Sequence, residues 1–143
     1  MWIDTHCHLD ASEFAGESGV MADMAAQQGV SCIVIPAVER GNFDAVRSLA
    51  QQHSNCVYAL GIHPLYVPQA TEKDLDVLRA AVADAMSNPR FVAIGEIGLD
   101  FFVSELRDTP LREKQEFFYS EQLKIARDFG LPVLLHVRRS QDI

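Results

Sequence analysis

Five times along this chain a short apolar run of β-favouring residues ends in a polar cluster, and a stretch with apolar residues at helical spacing separates each run from the next. The first run leads into Ile3-Asp4-Thr5-His6-Cys7-His8, and Ser18–Gln28 then reads as a helix carrying Val20, Met21, Met24 and Ala25, with Gly29 as its stop. Cys32-Ile33-Val34-Ile35-Pro36 is continuously apolar, the pattern of a parallel strand covered on both faces. Asn42 is placed to cap a helix to about His53, with Phe43, Val46, Leu49 and Ala50 facing inward. Val57–Gly61 is a third strand. Thr71, with Asp74 three residues on, opens a long helix striped by Leu75, Leu78, Val82, Ala85 and Met86. Phe91–Gly95 is a fourth strand. Thr109-Pro110 starts a helix with proline at the favoured first position; it runs to Phe129, stops at Gly130, and Pro132–His136 is the fifth strand.

This alternation predicts an α/β fold with a parallel sheet and right-handed crossovers. In such folds active sites form at the C-terminal ends of the strands. His6 and His8, His63, Glu96 and His136 stand at such ends on four different strands, His6 and His8 sharing the first. In an extended strand alternate side chains share a face, so His6 and His8 point the same way, with Asp4 and Asp10 at the same parity. Two imidazoles on one face can bind a divalent ion at about 2.0–2.1 Å each, and a neighbouring carboxylate can bind metal or orient a ring.

His6, His8, Glu96 and His136 form a mixed nitrogen and oxygen donor set that suits Zn, Mn or Fe and, less well, Mg. Glu96 on the fourth strand is placed to bridge two ions about 3.5–4 Å apart, and the chemistry implied is metal-assisted hydrolysis. The blander reading of Glu96 is a buried acid paired with a structural arginine. His63, in Gly61-Ile62-His63-Pro64, is a candidate substrate contact, acid or base, or a residue that only shapes its loop. Arg138 and Arg139 follow His136 directly, so at least one should face the mouth of the site, where a guanidinium fork matches phosphate, although Arg139 could equally pair with a nearby Glu or Asp. Asp100 reads as a second carboxylate behind the ligands or as a capping residue, and His53 as a solvated residue at a helix end.

Composition narrows the functional classes. The chain has 143 residues, enough for one domain, and 48% of them are hydrophobic. Its net charge of −8 argues against a broad surface coating duplex DNA, without excluding a nucleic-acid end held locally by metal and a few arginines. No run is long enough for a membrane span, and no basic segment followed by an apolar one opens the chain. Three cysteines, Cys7, Cys32 and Cys56, lack zinc-type spacing and read as reduced, buried thiols of a cytoplasmic protein.

Four motifs, Ile3-Asp4-Thr5-His6-Cys7-His8, Gly61-Ile62-His63-Pro64, Gly95-Glu96-Ile97-Gly98-Leu99-Asp100 and Leu131-Pro132-Val133-Leu134-Leu135-His136, resemble in order and spacing those of the TatD family of metal-dependent hydrolases, often called TatD DNases. Gln122-Leu123 with Ala126 also fits, and Arg138-Arg139-Ser140 resembles the YjjV branch. The resemblance covers essentially the whole chain. It implies a parallel (β/α) barrel of TIM type and a phosphodiester-cleaving deoxyribonuclease working through two divalent ions (Zn, Mn or Mg). His6, His8 and Glu96 would bind one ion, Glu96 would bridge and act in catalysis, and His136 would bind the second. His63, Arg138 and Arg139 would contact a nucleic-acid end or small phosphoester.

Such barrels typically need about 250 residues. The expectation is therefore a partial barrel domain over residues 1–143, truncated after about five strands and four helices. The family's further histidine after strand six and aspartate near strand eight would be missing. The alternatives are a hydrolase of C–N or ester bonds, or an inactive fragment. An unclosed sheet is also expected to self-associate through its outer strands.

Overall fold

The computed structural model describes residues 1–14 and 16–141. Its strands are β1 (Trp2–Asp4), β2 (Val30–Pro36), β3 (Cys56–Leu60), β4 (Phe91–Asp100) and β5 (Val133–Arg138). They alternate with helices α1 (Ser18–Gln27), α2 (Phe43–Gln52), α3 (Glu72–Ala85) and α4 (Thr109–Phe129). All neighbouring strands are parallel, in the spatial order β1-β2-β3-β4-β5. A sequential order without reversal belongs to a singly wound barrel, because a doubly wound sheet changes direction at a switch point. The five strands form a curled half-barrel of TIM type.

Strand alternation sorts the core into two layers. Ile33, Ile35, Tyr58, Leu60 and Ile94 pack with Val46, Leu78, Val82 and Ile125 from the helices. Residues between them in sequence, Val34, Ala59 and Ala93, form a separate cluster with Leu134 on the opposite face. Ala59 and Ala93 are direct partners across β3 and β4, so the concave side is lined there by small side chains.

The helix boundaries follow local chemistry. Thr71 and Asp74 make the expected capping box, with the Thr71 amide donating to Asp74 Oδ2 at 2.8 Å. Gly130 ends α4 at φ 66°, a left-handed conformation that glycine adopts without steric cost. Asn42 behaves differently from expectation. It makes no side-chain cap on α2; its Oδ1 accepts from the Val38 and Glu39 amides, and its Nδ2 donates to Asp10.

Helix α1 also departs from its expected pattern. Only Ala22 is buried, while Val20, Met21 and Met24 are exposed. The reason is position: α1 and β1 stand at one end of the sheet, where β1 pairs with β2 alone among the described strands. Met86 caps α3 and is exposed rather than part of its stripe. The three cysteines are free thiols; Cys56 is buried, but Cys7 and Cys32 are only half-buried. Among the described residues no helix is long and apolar enough to cross a membrane.

Candidate metal centre

Strand β1 ends at Asp4, so His6 and His8 lie just beyond it rather than on it. The Cys7 amide nevertheless donates to the Val34 carbonyl at 3.0 Å, which keeps this segment alongside β2. The residues flanking Cys7 remain on a common side, and the His6 and His8 Nε2 atoms come within 3.0 Å of each other.

Strand β4 is longer than its apolar run suggested. Pairing with β5 continues through Gly98↔His136, Leu99↔Val137 and Asp100↔Arg138, so Glu96 sits within the strand instead of at its end. Gly98, at φ 147°, lies so near the His136 backbone that a Cβ would strike its carbonyl oxygen. That close approach sets His136 beside Glu96 and Asp100, which share a parity with Gly98 on β4.

Four of the five histidines gather on one carboxylate. Glu96 is 4% exposed. Its Oε2 lies 2.9 Å from His6 Nε2, 3.2 Å from His8 Nε2 and 3.6 Å from His63 Nε2, and its Oε1 lies 2.9 Å from His136 Nδ1. Despite these short approaches, Oε2 is buried without a well-formed hydrogen bond. Burial works to raise the Glu96 carboxyl pKa, but the contacts from His136, His63 and His8 outweigh it and hold it below the usual range. His8 is raised chiefly by its bond to Glu96, against burial; His136 is raised by Glu96 first and by Asp100 as well.

The remaining ring nitrogens assign the tautomers. His136 Nε2 is 3.0 Å from Asp100 Oδ2 and donates to it, so Nδ1 is the nitrogen turned toward Glu96, donating to Oε1 when the ring is protonated and open to a metal when it is not. His63 Nδ1 accepts from the Leu65 amide at 3.1 Å, which leaves the proton of the neutral ring on Nε2. His63 therefore enters the centre as a hydrogen-bond donor, a role consistent with contacting substrate. His53 is apart from this group: its ring packs against Gly19, and Nδ1 lies 3.9 Å from Asp23. It is a packing residue more than a solvated one.

Supporting residues surround the ligands, and the roles of Gln115, Gln122 and Phe102 among them escaped the sequence reading. Asp100 takes the first of its two expected roles, since Oδ2 holds His136, but it caps no helix: Oδ1 accepts from the Phe102 and Val103 amides in the turn after β4. Gln115 and Gln122 are buried polar residues on α4. Gln122 grips both the amide and the carbonyl of Ile62, beside His63, at 2.7 and 3.1 Å. Gln115 accepts from the Asp100 amide at 2.9 Å. Their spacing of seven places them on one helix face, a signal visible in the sequence as polar residues among apolar ones. Phe102 is the third addition: the Arg138 and Arg139 guanidiniums lie 3.7 and 4.8 Å from its ring centroid. Arg138 also approaches Asp100 Oδ2 at 3.9 Å, which puts the pair of arginines beside His136.

The donor set fits a divalent ion. Nitrogen and oxygen ligands around a tetrahedral ion at about 2.0–2.1 Å stand about 3.4 Å apart, close to the separations found here. Two triads have this spacing, His6–His8–Glu96 and His63–Glu96–His136, with Glu96 common to both; in the second, His63 Nε2 carries a proton, so Glu96 and His136 are the members free to ligate.

Comparison with known proteins points the same way. The family described as TatD related DNase matches residues 3–142. The chain is 40% identical to the uncharacterized metal-dependent hydrolase YjjV of Escherichia coli, over 99% of this chain and 52% of that protein. The crystal structure of YjjV superposes with a TM-score of 0.89. Identity to the E. coli 3′-5′ ssDNA/RNA exonuclease TatD is 32%, over 98% of this chain and 51% of that protein. A TatD-family hydrolase from Entamoeba histolytica, at 24% identity, shares the fold with a TM-score of 0.83. The chain thus spans about half the length of the curated relatives it matches.

Proposed function

The chain belongs to the TatD-related DNase family, and from that premise we propose that residues 1–143 are the part of a (β/α) barrel domain that supplies most of a two-metal phosphodiesterase centre. The observation that carries this reading is Glu96. Its Oε2 faces His6 and His8 while its Oε1 faces His136, the division expected of a carboxylate bridging two ions. His6, His8 and Glu96 would hold one ion, and Glu96 and His136 the other; Zn, Mn and Mg are the candidates. When bound, such ions activate water near neutral pH and neutralise charge on the phosphoryl oxygens.

The chain's own residues have separable tasks. Asp100 fixes the His136 ring by accepting its Nε2 proton, which leaves Nδ1 as the nitrogen turned to the metal site. His63 offers its Nε2 proton to a substrate oxygen, held in direction by the Leu65 amide. Arg138 and Arg139, steadied on Phe102, are placed to take the phosphate of a nucleic-acid end or small phosphoester.

Calorimetric titration with Mn²⁺ and Zn²⁺, paired with cleavage of a labelled single-stranded oligonucleotide, tests the reading. Binding lost in Glu96→Ala, and cleavage that needs added metal and stops with EDTA, are expected. Metal binding without strand cleavage, but with turnover of an amide or lactone, would move the assignment to C–N or ester hydrolysis. Metal binding indifferent to Glu96→Ala would end it.

A further inference from the structure

Beside the metal centre a cavity of about 450 Å³ opens between the segment after β1, the loop after β2 and the turn after β3. It falls in the size range of small-ligand sites, about 300–1,000 Å³. His8 and His63 line it, so it is continuous with the centre. Its wall carries three carboxylates, Asp10, Glu13 and Glu39, together with the Tyr66 ring, and no Lys or Arg lines it among the described residues.

The wall is built rather than incidental. Asp10 Oδ2 accepts from Asn42 Nδ2 at 2.7 Å, and Asn42 is itself fixed by the Val38 and Glu39 amides. The Glu39 side chain accepts in turn from the Asn42 backbone. Asp10 Oδ1 is buried without a hydrogen-bond partner. The Tyr66 ring stands edge-on to His63, with centroids 6.3 Å apart.

The opposite side of the centre has the opposite sign. There Arg138 and Arg139 share the Phe102 ring, and Arg138 reaches Asp100 behind His136. A phosphodiester at the centre would have guanidiniums on one side and carboxylates on the other.

We propose that this cavity is the subsite for the terminal nucleoside of a single strand, and that Asp10, Glu13 and Glu39 exclude a terminus bearing a phosphate. The proposal rests on the nuclease reading above. Carboxylates accept hydrogen bonds from sugar hydroxyls and base amino groups. A terminal phosphate brings a charge of about −1.5 to −2 against three like charges. The remainder of the strand leaves over the arginines. The acids thus act as specificity-determining residues, although they are among the features of the chain that look least suited to a nucleic-acid partner.

Fluorescence anisotropy tests this with the 143-residue chain and internally labelled single strands. Phosphorothioate linkages keep the strands intact in Mn²⁺. Three strands suffice: hydroxyls at both ends, a phosphate at the 3′ end only, and a phosphate at the 5′ end only. The strand with hydroxyls should bind about tenfold more tightly than one of the phosphorylated strands, with the gap narrowing as salt rises. Glu13→Gln with Glu39→Gln should close most of the gap by tightening binding of that phosphorylated strand severalfold. Equal affinity for all three strands would overturn the subsite and leave the nuclease reading standing. No binding of any strand would overturn both. A gap in the wild-type chain that salt does not narrow would show that the acids are not its cause.

Discussion

Ile94 on β4 is fully buried, whereas Ile3 on β1 is 63% exposed. The same contrast separates α2, which buries Phe43, Val46 and Ala50, from α1, which buries only Ala22 and leaves Val20 and Met24 exposed. At the other end of the sheet Leu135 and Val137 of β5 are also exposed. Residue type does not distinguish these regions. The middle strands have a neighbour on each side and helices packed over them, and the outer ones do not. Burial is therefore a property of the company an element keeps. The metal centre spans both regimes: Glu96 comes from the middle, while His6 and His8 come from the segment after β1 and His136 from the outer strand β5.

The largest effect expected from that contrast is in the middle. Ile94→Ala should cost about 3 kcal/mol, within the usual range for a buried isoleucine, read from urea unfolding followed by circular dichroism. If it cost no more than an end variant, the distinction between middle and ends would be wrong.

Next in size is the residue common to both triads. Glu96→Ala should weaken binding of the first Mn²⁺ or Zn²⁺ by about a hundredfold or more, about 2.7 kcal/mol, measured by calorimetry. His6→Ala should cost less, because a ligand on an outer segment is worse anchored. A larger loss at His6 than at Glu96 would reverse the order of rigidity inferred here.

The pH dependence has two opposite signs. Contact with Glu96 raises the His8 and His136 pKa values, so without metal their contribution to stability is complete below the unfolded value near 6.5. It is lost as pH rises through the raised folded values. Metal must displace those protons, so its affinity should rise over the same interval, about tenfold per pH unit for each proton released. Thermal melts from pH 6 to 9, in chelator and in saturating Zn²⁺, should diverge as pH increases. Parallel curves would remove the histidines from the site.

Asp100→Asn should lower metal affinity about tenfold while leaving the fold intact, the usual scale for a group that orients a ligating histidine. Smallest of all, Ile3→Ala should change stability by less than about 1 kcal/mol, since little of that side chain is buried. Its larger consequence should be on association. Light scattering at increasing concentration should show the wild-type chain self-associating through its outer strands, and Ile3→Ala together with Val137→Ser doing so less.

How much could be read in advance follows the same division. The strand–helix alternation was legible because β2, β3 and the first half of β4 each hold an unbroken apolar run and α2, α3 and α4 carry clear stripes. Residues Val20, Met21 and Met24 looked like a stripe of the same kind, but sequence periodicity reports what a helix can bury and not whether a partner is present. At the centre, histidines and a glutamate after strand-like runs were visible as ligands because few structural roles need them there. The tautomers of His63 and His136 were not, since they depend on Leu65 and Asp100, which only the folded backbone brings within reach. The extension of β4 past Gly95 was hidden for a similar reason, because Gly-Glu-Ile-Gly lacks strand-like character and is held in register by β5.

Gln115 and Gln122 have a consequence for how the molecule comes apart. One fastens the backbone of Asp100 and the other the backbone of Ile62, and both belong to α4. Two loops distant in sequence are thereby tied to a single cooperative unit. The amides of Ile62 and Asp100 should then exchange with deuterium at a common rate, set by the opening of α4 and not by the fluctuation of either loop. The His63 and Asp100–His136 side of the centre would then be released together when that helix detaches, while His6 and His8, held through β2, would loosen separately.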